Sequence, residues 1–186
     1  ASLDGELDFS PLHSDLYQEI GKTSDVTLAS EGSLVVMVWE EEWIGMGPGI
    51  SDNLVFRISH DGGVNWSSPK TIHEGGTSPG GDPSVSISNG DVYLVYQRPV
   101  KSGGGEIWAA RMVAGDTCFR LFGDFGGSVP GWVGPGWLPN IDAQSGAIAI
   151  SWEHSNLSYF SKDDHRMGVF VVKNAASSLP TVLELE

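Results

Sequence analysis

One cysteine in 186 residues, Cys118, leaves the chain without an intrachain disulfide, and a single thiol cannot build a zinc site. Its neighbours Thr117 and Phe119 suit a strand, so a buried, inert thiol is expected there. Positive charge is equally scarce: ten Lys and Arg stand against 24 Asp and Glu, a formal net charge of −14. Such a surface repels phosphate backbones and anionic membranes, which argues against nucleic-acid binding and membrane association. It favours solubility and suits hard cations such as calcium, with no cofactor otherwise required. No apolar run reaches the length of a membrane span, and no basic-then-apolar start marks a secretory leader. The first residue is Ala1 rather than Met, which points to processing or tag removal and leaves the compartment open. His13, His60, His73, His154 and His165 have no metal-ligand spacing. Helical periodicity is missing outside Ser14–Ile20, and that stretch reads equally as a strand.

What is present is a turn-rich, core-forming chain. Glycine occurs 25 times and proline 10 times, scattered without period, while 40% of residues are hydrophobic; short strands joined by frequent turns follow. Three segments share one pattern: Asp25–Glu40, Asp82–Gln97 and Leu138–Glu153. Each alternates, turns at a glycine (Glu31-Gly32, Asn89-Gly90, Ser145-Gly146), and ends a second strand on an aromatic followed by a polar residue. The aromatics are Trp39, Tyr96 and Trp152, and the polar residues are Glu40, Gln97 and Glu153. A third apolar strand follows each pair, at Asn53–Ser59, Glu106–Val113 and Gly168–Lys173, then a fourth near Lys70–His73, Phe119–Phe122 and Thr181–Leu185. Four antiparallel strands recurring this way outline the blades of a β-propeller, so the expected fold is all-β, with about three blades. The boundaries drawn are a leading edge segment over 1–22, with Asp15–Ile20 as a strand able to latch onto a neighbour, and blades over 23–77, 78–132 and 133–186.

Between the third and fourth strands of the first unit stands Ser59-His60-Asp61-Gly62-Gly63-Val64-Asn65-Trp66, which matches the Asp-box pattern S-x-D-x-G-x-x-W at every defined position. The chain here resembles the bacterial neuraminidase (BNR) repeat of sialidases and related propellers. The resemblance implies that Ser59, Asp61, Gly63 and Trp66 are structural, because in that family the box lies on an outer hairpin away from the substrate face. It further implies that the connections between strands two and three, and between successive blades, open on the opposite face. There the sequence places its long loops, which is where binding usually resides.

That face offers three kinds of chemistry. Trp43, Trp132 and Trp137 can stack on the apolar side of a sugar ring or plug gaps between blades. Glu40, Glu41, Glu42, Asp82, Glu153, Asp163 and Asp164 supply carboxylates, open to a solvated rim, a calcium site (Asp163, Asp164) or a glycosidase pair. Sialidases clamp the sugar carboxylate with an arginine cluster and use a Tyr–Glu nucleophile pair. Here Arg98 and Arg166 lie in loops, Arg57, Arg111 and Arg120 lie on or beside outer strands, the Arg-Ile-Pro start motif is absent, and Tyr159 has no recognisable partner. The expected function is therefore glycan binding through Trp43, Trp132, Trp137, Glu40, Arg98 and Glu153, without a complete sialidase site and leaning away from enzymatic activity. A sialidase-like glycoside hydrolase and a structural assembly module are the alternatives. Three blades do not close a ring, so either the chain is a piece of a longer one or two copies pair to make six; a homodimer is expected.

Overall fold

The computed structural model describes residues 21–43, 53–72, 81–99, 105–121, 132–155, 165–172 and 181–184. The Ser14–Ile20 stretch, Asp15–Ile20 within it, and Asp163 and Asp164 lie outside the described residues, as do Tyr159 and the Glu42, Trp43 and Trp132 side chains.

All described elements are strands, in three antiparallel sheets that follow one another along the chain. The first runs β1 (Gly21–Glu31), β2 (Leu34–Trp43), β3 (Asn53–Ser59), β4 (Lys70–Thr71) in sequence order. The second runs β5 (Ser84–Ser88), β6 (Asp91–Pro99), β7 (Gly105–Met112), β8 (Arg120–Leu121), with β9 (Trp132–Pro135) also pairing β7. The third runs β10 (Trp137–Gln144), β11 (Ala147–Ser155), β12 (His165–Val172), β13 (Thr181–Glu184). Each sheet is a meander of successive antiparallel strands, with β9 the exception that pairs β7 rather than β8.

The turns explain why strand follows strand so tightly. Asn89 and Gly90 take φ of 56° and 79°, and Ser145 and Gly146 take 51° and 78°, as a type I′ hairpin demands. In the first sheet the register Glu31↔Leu34 centres the turn on Gly32-Ser33, one residue beyond the expected Glu31-Gly32, with φ of 60° at Gly32. Glu31 is thereby left at the end of β1, and its carboxylate accepts the backbone N–H groups of Asn89 and Gly90 at 3.0 and 2.6 Å, tying the first turn to the second.

The middle sheet is buried on both faces, and its sequence shows it. Along β6, Val92, Leu94 and Tyr96 point into a core shared with Val36, Val38, Leu54, Phe56 and Ile58 of the first sheet. Tyr93 and Val95, alternating with them, point into a second core with Ile141, Ala143, Ile148, Ile150 and Trp152 of the third. A strand covered on both sides becomes a continuous apolar run, and Val92–Tyr96 is one. On β10, which is covered on one side, strict alternation returns: Ile141 and Ala143 are buried, and Asn140, Asp142 and Gln144 are exposed.

Cys118 is exposed, contrary to the expected buried thiol. β8 begins only at Arg120, and the chain turns Phe119 inward instead, its ring edge-on to Phe56 at 5.0 Å. β9 adds a strand that the repeat does not announce. It approaches the second sheet where a Cβ on Gly105 would strike the Gly136 carbonyl oxygen, and Gly136, the residue after β9, lies as close to the third, where its Cβ would strike the Glu153 carbonyl oxygen and the Trp152 ring.

Candidate functional site

Each sheet's inner strand is entered through the same irregularity. Asp25, Asp82 and Leu138 all have positive φ, at 49°, 53° and 48°. In β1 the pairing with β2 slips between Ser24 and Thr27, and in β10 the pairing with β11 slips between Trp137 and Asn140. A bulge re-aims the residues it carries, and at φ near +50° a non-glycine residue is costly, so these positions are held by their surroundings. The three irregularities converge. Asp25-Val26-Thr27, Asp82-Pro83-Ser84 and Leu138-Pro139-Asn140 line one open pocket of about 440 Å³ where the three inner strands meet.

The pocket is acidic and amphipathic. Asp25, Thr27, Asp82, Ser84 and Asn140 bring polar groups, while Val26 and Leu138 stay 62% and 59% exposed. Among the described residues that line it, none is Lys, Arg or His. Burial, and secondly the charge of Asp25, pushes the Asp82 carboxyl above its ordinary value.

Of the residues expected from sequence to carry the site, Asp82 lines this pocket, whereas Glu40, Arg98, Trp137 and Glu153 lie at the same end of the sheets outside its lining. Glu40 pairs with Ser24 and packs its carboxylate against Gly81, where a Cβ would lie 2.6 Å from Oε2; Gly81 directly precedes Asp82. Gln97 N–H donates to the Gly81 carbonyl at 2.9 Å, which puts the end of β6, and with it Arg98, at this same end of the sheets. The Arg98 guanidinium sits over the Trp108 ring at 5.0 Å. Trp137, half-buried, adjoins Leu138 and pairs in register with the exposed Glu153. Trp132 is a β9 residue paired with Trp108, and Trp43 is paired with Gly21 at the end of β2. Asp25, absent from the sequence-derived set, is the residue that reasoning missed. The detectable signal was the recurrence, 57 and 56 residues apart, of the residue that opens each repeat segment, Asp25, Asp82 and Leu138.

The Asp-box segment folds as a self-bonded turn after β3. Ser59 Oγ accepts the Gly63 N–H at 2.8 Å and donates to Asp61 Oδ1 at 2.7 Å. Asp61 accepts the Asn65 N–H at 2.8 Å and the Asn65 side-chain amide at 2.6 Å. Trp66 Nε1 donates to the Gly63 carbonyl at 2.8 Å, and Gly62 N–H reaches back to Ser33 in the first turn at 2.9 Å. The Asn65 donors, ahead of the Ser59 hydroxyl, hold the Asp61 carboxyl down at about 2. The turn thus hangs from the hairpin end of the first sheet, and the pocket opens where the inner strands begin.

Among the described residues no group of three or more His, Cys, Asp or Glu could hold a metal ion, and no helix is long and apolar enough to cross a membrane. No family model matches the chain, and no curated protein matches it. Among solved structures it is similar to an α-L-arabinofuranosidase from Podospora anserina determined in complex with cellotriose, with a TM-score of 0.54 and 10% sequence identity. The likeness covers 84% of this chain and 56% of that one, so the chain spans little more than half of that protein's length. At that identity the likeness is one of fold: the chain is an all-β protein of antiparallel sheets, similar to a β-propeller-type structure.

Proposed function

We propose that the chain is a carbohydrate-binding, sialidase-like β-propeller protein whose sugar site is the pocket between the three inner strands, and that it takes uncharged, hydroxyl-rich sugars rather than sialic acid. The observation that carries this reading is the lining itself: two aspartates and, among the described residues, no cation. Asp25 and Asp82 can accept hydroxyl protons, Thr27, Ser84 and Asn140 can both donate and accept, and Val26 and Leu138 offer apolar surface to C–H groups. A sugar carboxylate would meet two like charges there, with no guanidinium among the described lining residues to offset them, and Arg98 is engaged with Trp108. The Asp-box turn supports the sialidase-like architecture, and the missing arginine cluster argues against the matching activity. Trp137, with Glu40, Arg98 and Glu153, then forms the rim. The similar fold in a protein solved with cellotriose is in keeping with a neutral glucan as a first ligand to try.

Tryptophan-fluorescence titration with cellotriose and other neutral oligosaccharides, alongside a sialylated one, tests this. Saturable quenching by a neutral sugar, weakened about tenfold or more by Asp25→Ala or Asp82→Asn, is expected from loss of one charge-assisted hydrogen bond. A response to the sialylated sugar alone, or to none, removes the proposal; the second result leaves a structural module.

A second reading, glycoside hydrolysis, is favoured by the raised Asp82 carboxyl beside Asp25, since a glycosidase needs one carboxyl kept protonated and one ionised. Hydrolysis of aryl glycosides that vanishes in Asp82→Asn while sugar binding persists in Glu40→Gln would put this reading ahead.

A further inference from the structure

The three sheets use one contact twice, and its two halves lie open at opposite ends of the array. Register equates Thr27 with Ser84 and Asn140, Ala29 with Ser86 and Asp142, and Glu31 with Ser88 and Gln144. This row faces the next inner strand. Ser84, Ser86 and Ser88 accept the backbone N–H groups of Ile141, Ala143 and Gly146 at 3.2, 3.0 and 3.3 Å, and Glu31 does the same for Asn89 and Gly90. On β10 the row reads Asn140, Asp142, Gln144: three side-chain acceptors, all exposed.

The other half of the contact is apolar. Val85 and Ile141, 7% and 5% exposed, are buried where one inner strand meets the one before it. Their counterpart on β1, Leu28, is 56% exposed, and Val26 is 62% exposed where Pro83 and Pro139 are buried. The first sheet therefore presents a donor edge with bare apolar side chains, and the third presents an acceptor edge. Neither edge complements itself, but each complements the other. Val35, Trp39 and Val55 of the first sheet are already buried, so the open contact is confined to the inner strands.

We propose that these edges dock between two copies of this chain, β10 of each receiving β1 of the other. By the equivalence above, Asp142 accepts the Ser30 N–H as Ser86 accepts that of Ala143, and Leu28 is covered as Ile141 is. Two such contacts related by a two-fold axis close a ring of sheets, which removes both exposed edges at once. The arrangement holds whether or not the pocket binds a sugar, and it is measured without one.

Covalent trapping tests it. In a Cys118→Ser background, Ser30→Cys and Asp142→Cys together should give a covalent dimer on a non-reducing gel, while either substitution alone gives none. Light scattering of the native chain should return about twice 19.8 kDa, in salt of about 0.5 M to screen the mutual repulsion of two acidic chains. Leu28→Asp should halve that mass with an unchanged far-ultraviolet spectrum. A native mass of 19.8 kDa with no cross-link from the double variant overturns the proposal and leaves the edges to other sheets of a longer chain. Cross-linking by a single variant, or a ladder beyond two copies, also overturns it.

Discussion

Asp61 and Asp82 are both aspartates at turns, yet their surroundings push them in opposite directions. Asp61 is held near 2 by the N–H groups and hydroxyl that it accepts. A carboxyl whose folded value lies below its unfolded value of 3.8 contributes stability above that value and loses it as pH falls towards 2. Asp61→Ala should therefore lower the thermal midpoint at pH 7, and the gap from the native chain should close between about pH 4 and pH 2. A gap that stays constant across that range would mean that the turn's geometry, rather than its charge, is what the substitution disturbs. Asp82 has the reverse sign. Its folded value is raised, so the ionised form costs stability, and that cost is relieved as pH falls through the folded value. Asp82→Asn should raise the thermal midpoint at neutral pH while weakening the sugar binding proposed above. A variant that is both less stable and still able to bind would show that the carboxylate is structural.

Among elements, the inner strands carry the least self-evident interactions. A ladder of serine hydroxyls joins the second inner strand to the third, and the Glu31 carboxylate joins the first to the second, where backbone pairing is replaced by side-chain rungs; each serine rung should contribute on the order of 1 kcal/mol. Removing the middle one, Ser86→Ala, should speed exchange of the Ala143 amide by about fivefold and leave amides of β12 unchanged. Uniform acceleration across the third sheet would refute a local rung. At Gly136, Ala should abolish folding of the third sheet onto the second, because its Cβ would occupy the space of the Glu153 carbonyl and the Trp152 ring; the readout is loss of the cooperative unfolding transition. The strands themselves were legible in sequence where an alternating stretch, a glycine turn and an apolar run follow one another, as in Ser84–Tyr96. The pocket was not, because it is built from non-glycine residues at positive φ, a conformation that leaves no mark of composition. β9 was hidden for a related reason: Trp132–Pro135 contains glycine and proline, reads as loop, and becomes a strand where Gly105 leaves room for the Gly136 carbonyl beside β7.

For the whole molecule, sheet packing and charge pull against each other. Two cores on either side of the middle sheet supply the cohesion, and a net charge of −14 opposes it through self-repulsion. Few cations offset that charge: the ion pairs between described residues are Arg111 with Asp91 and the long, exposed Arg120–Asp116 contact at 4.0 Å. Screening should then stabilise the fold. Between about 20 mM and 0.5 M sodium chloride, where the Debye length falls from roughly 20 Å to a few Å, the thermal midpoint should rise and then level off. If attractive surface pairs outweighed the general repulsion, the same titration would lower the midpoint. The second-sheet residues Tyr93 and Arg111 offer an internal control. The Arg111–Asp91 pair is largely buried, with Arg111 against the Tyr93 ring, so screening should barely touch it. Arg111→Met should therefore cost the same stability at both ends of the salt range, whereas the rise itself should shrink in variants that exchange exposed Asp or Glu for Lys.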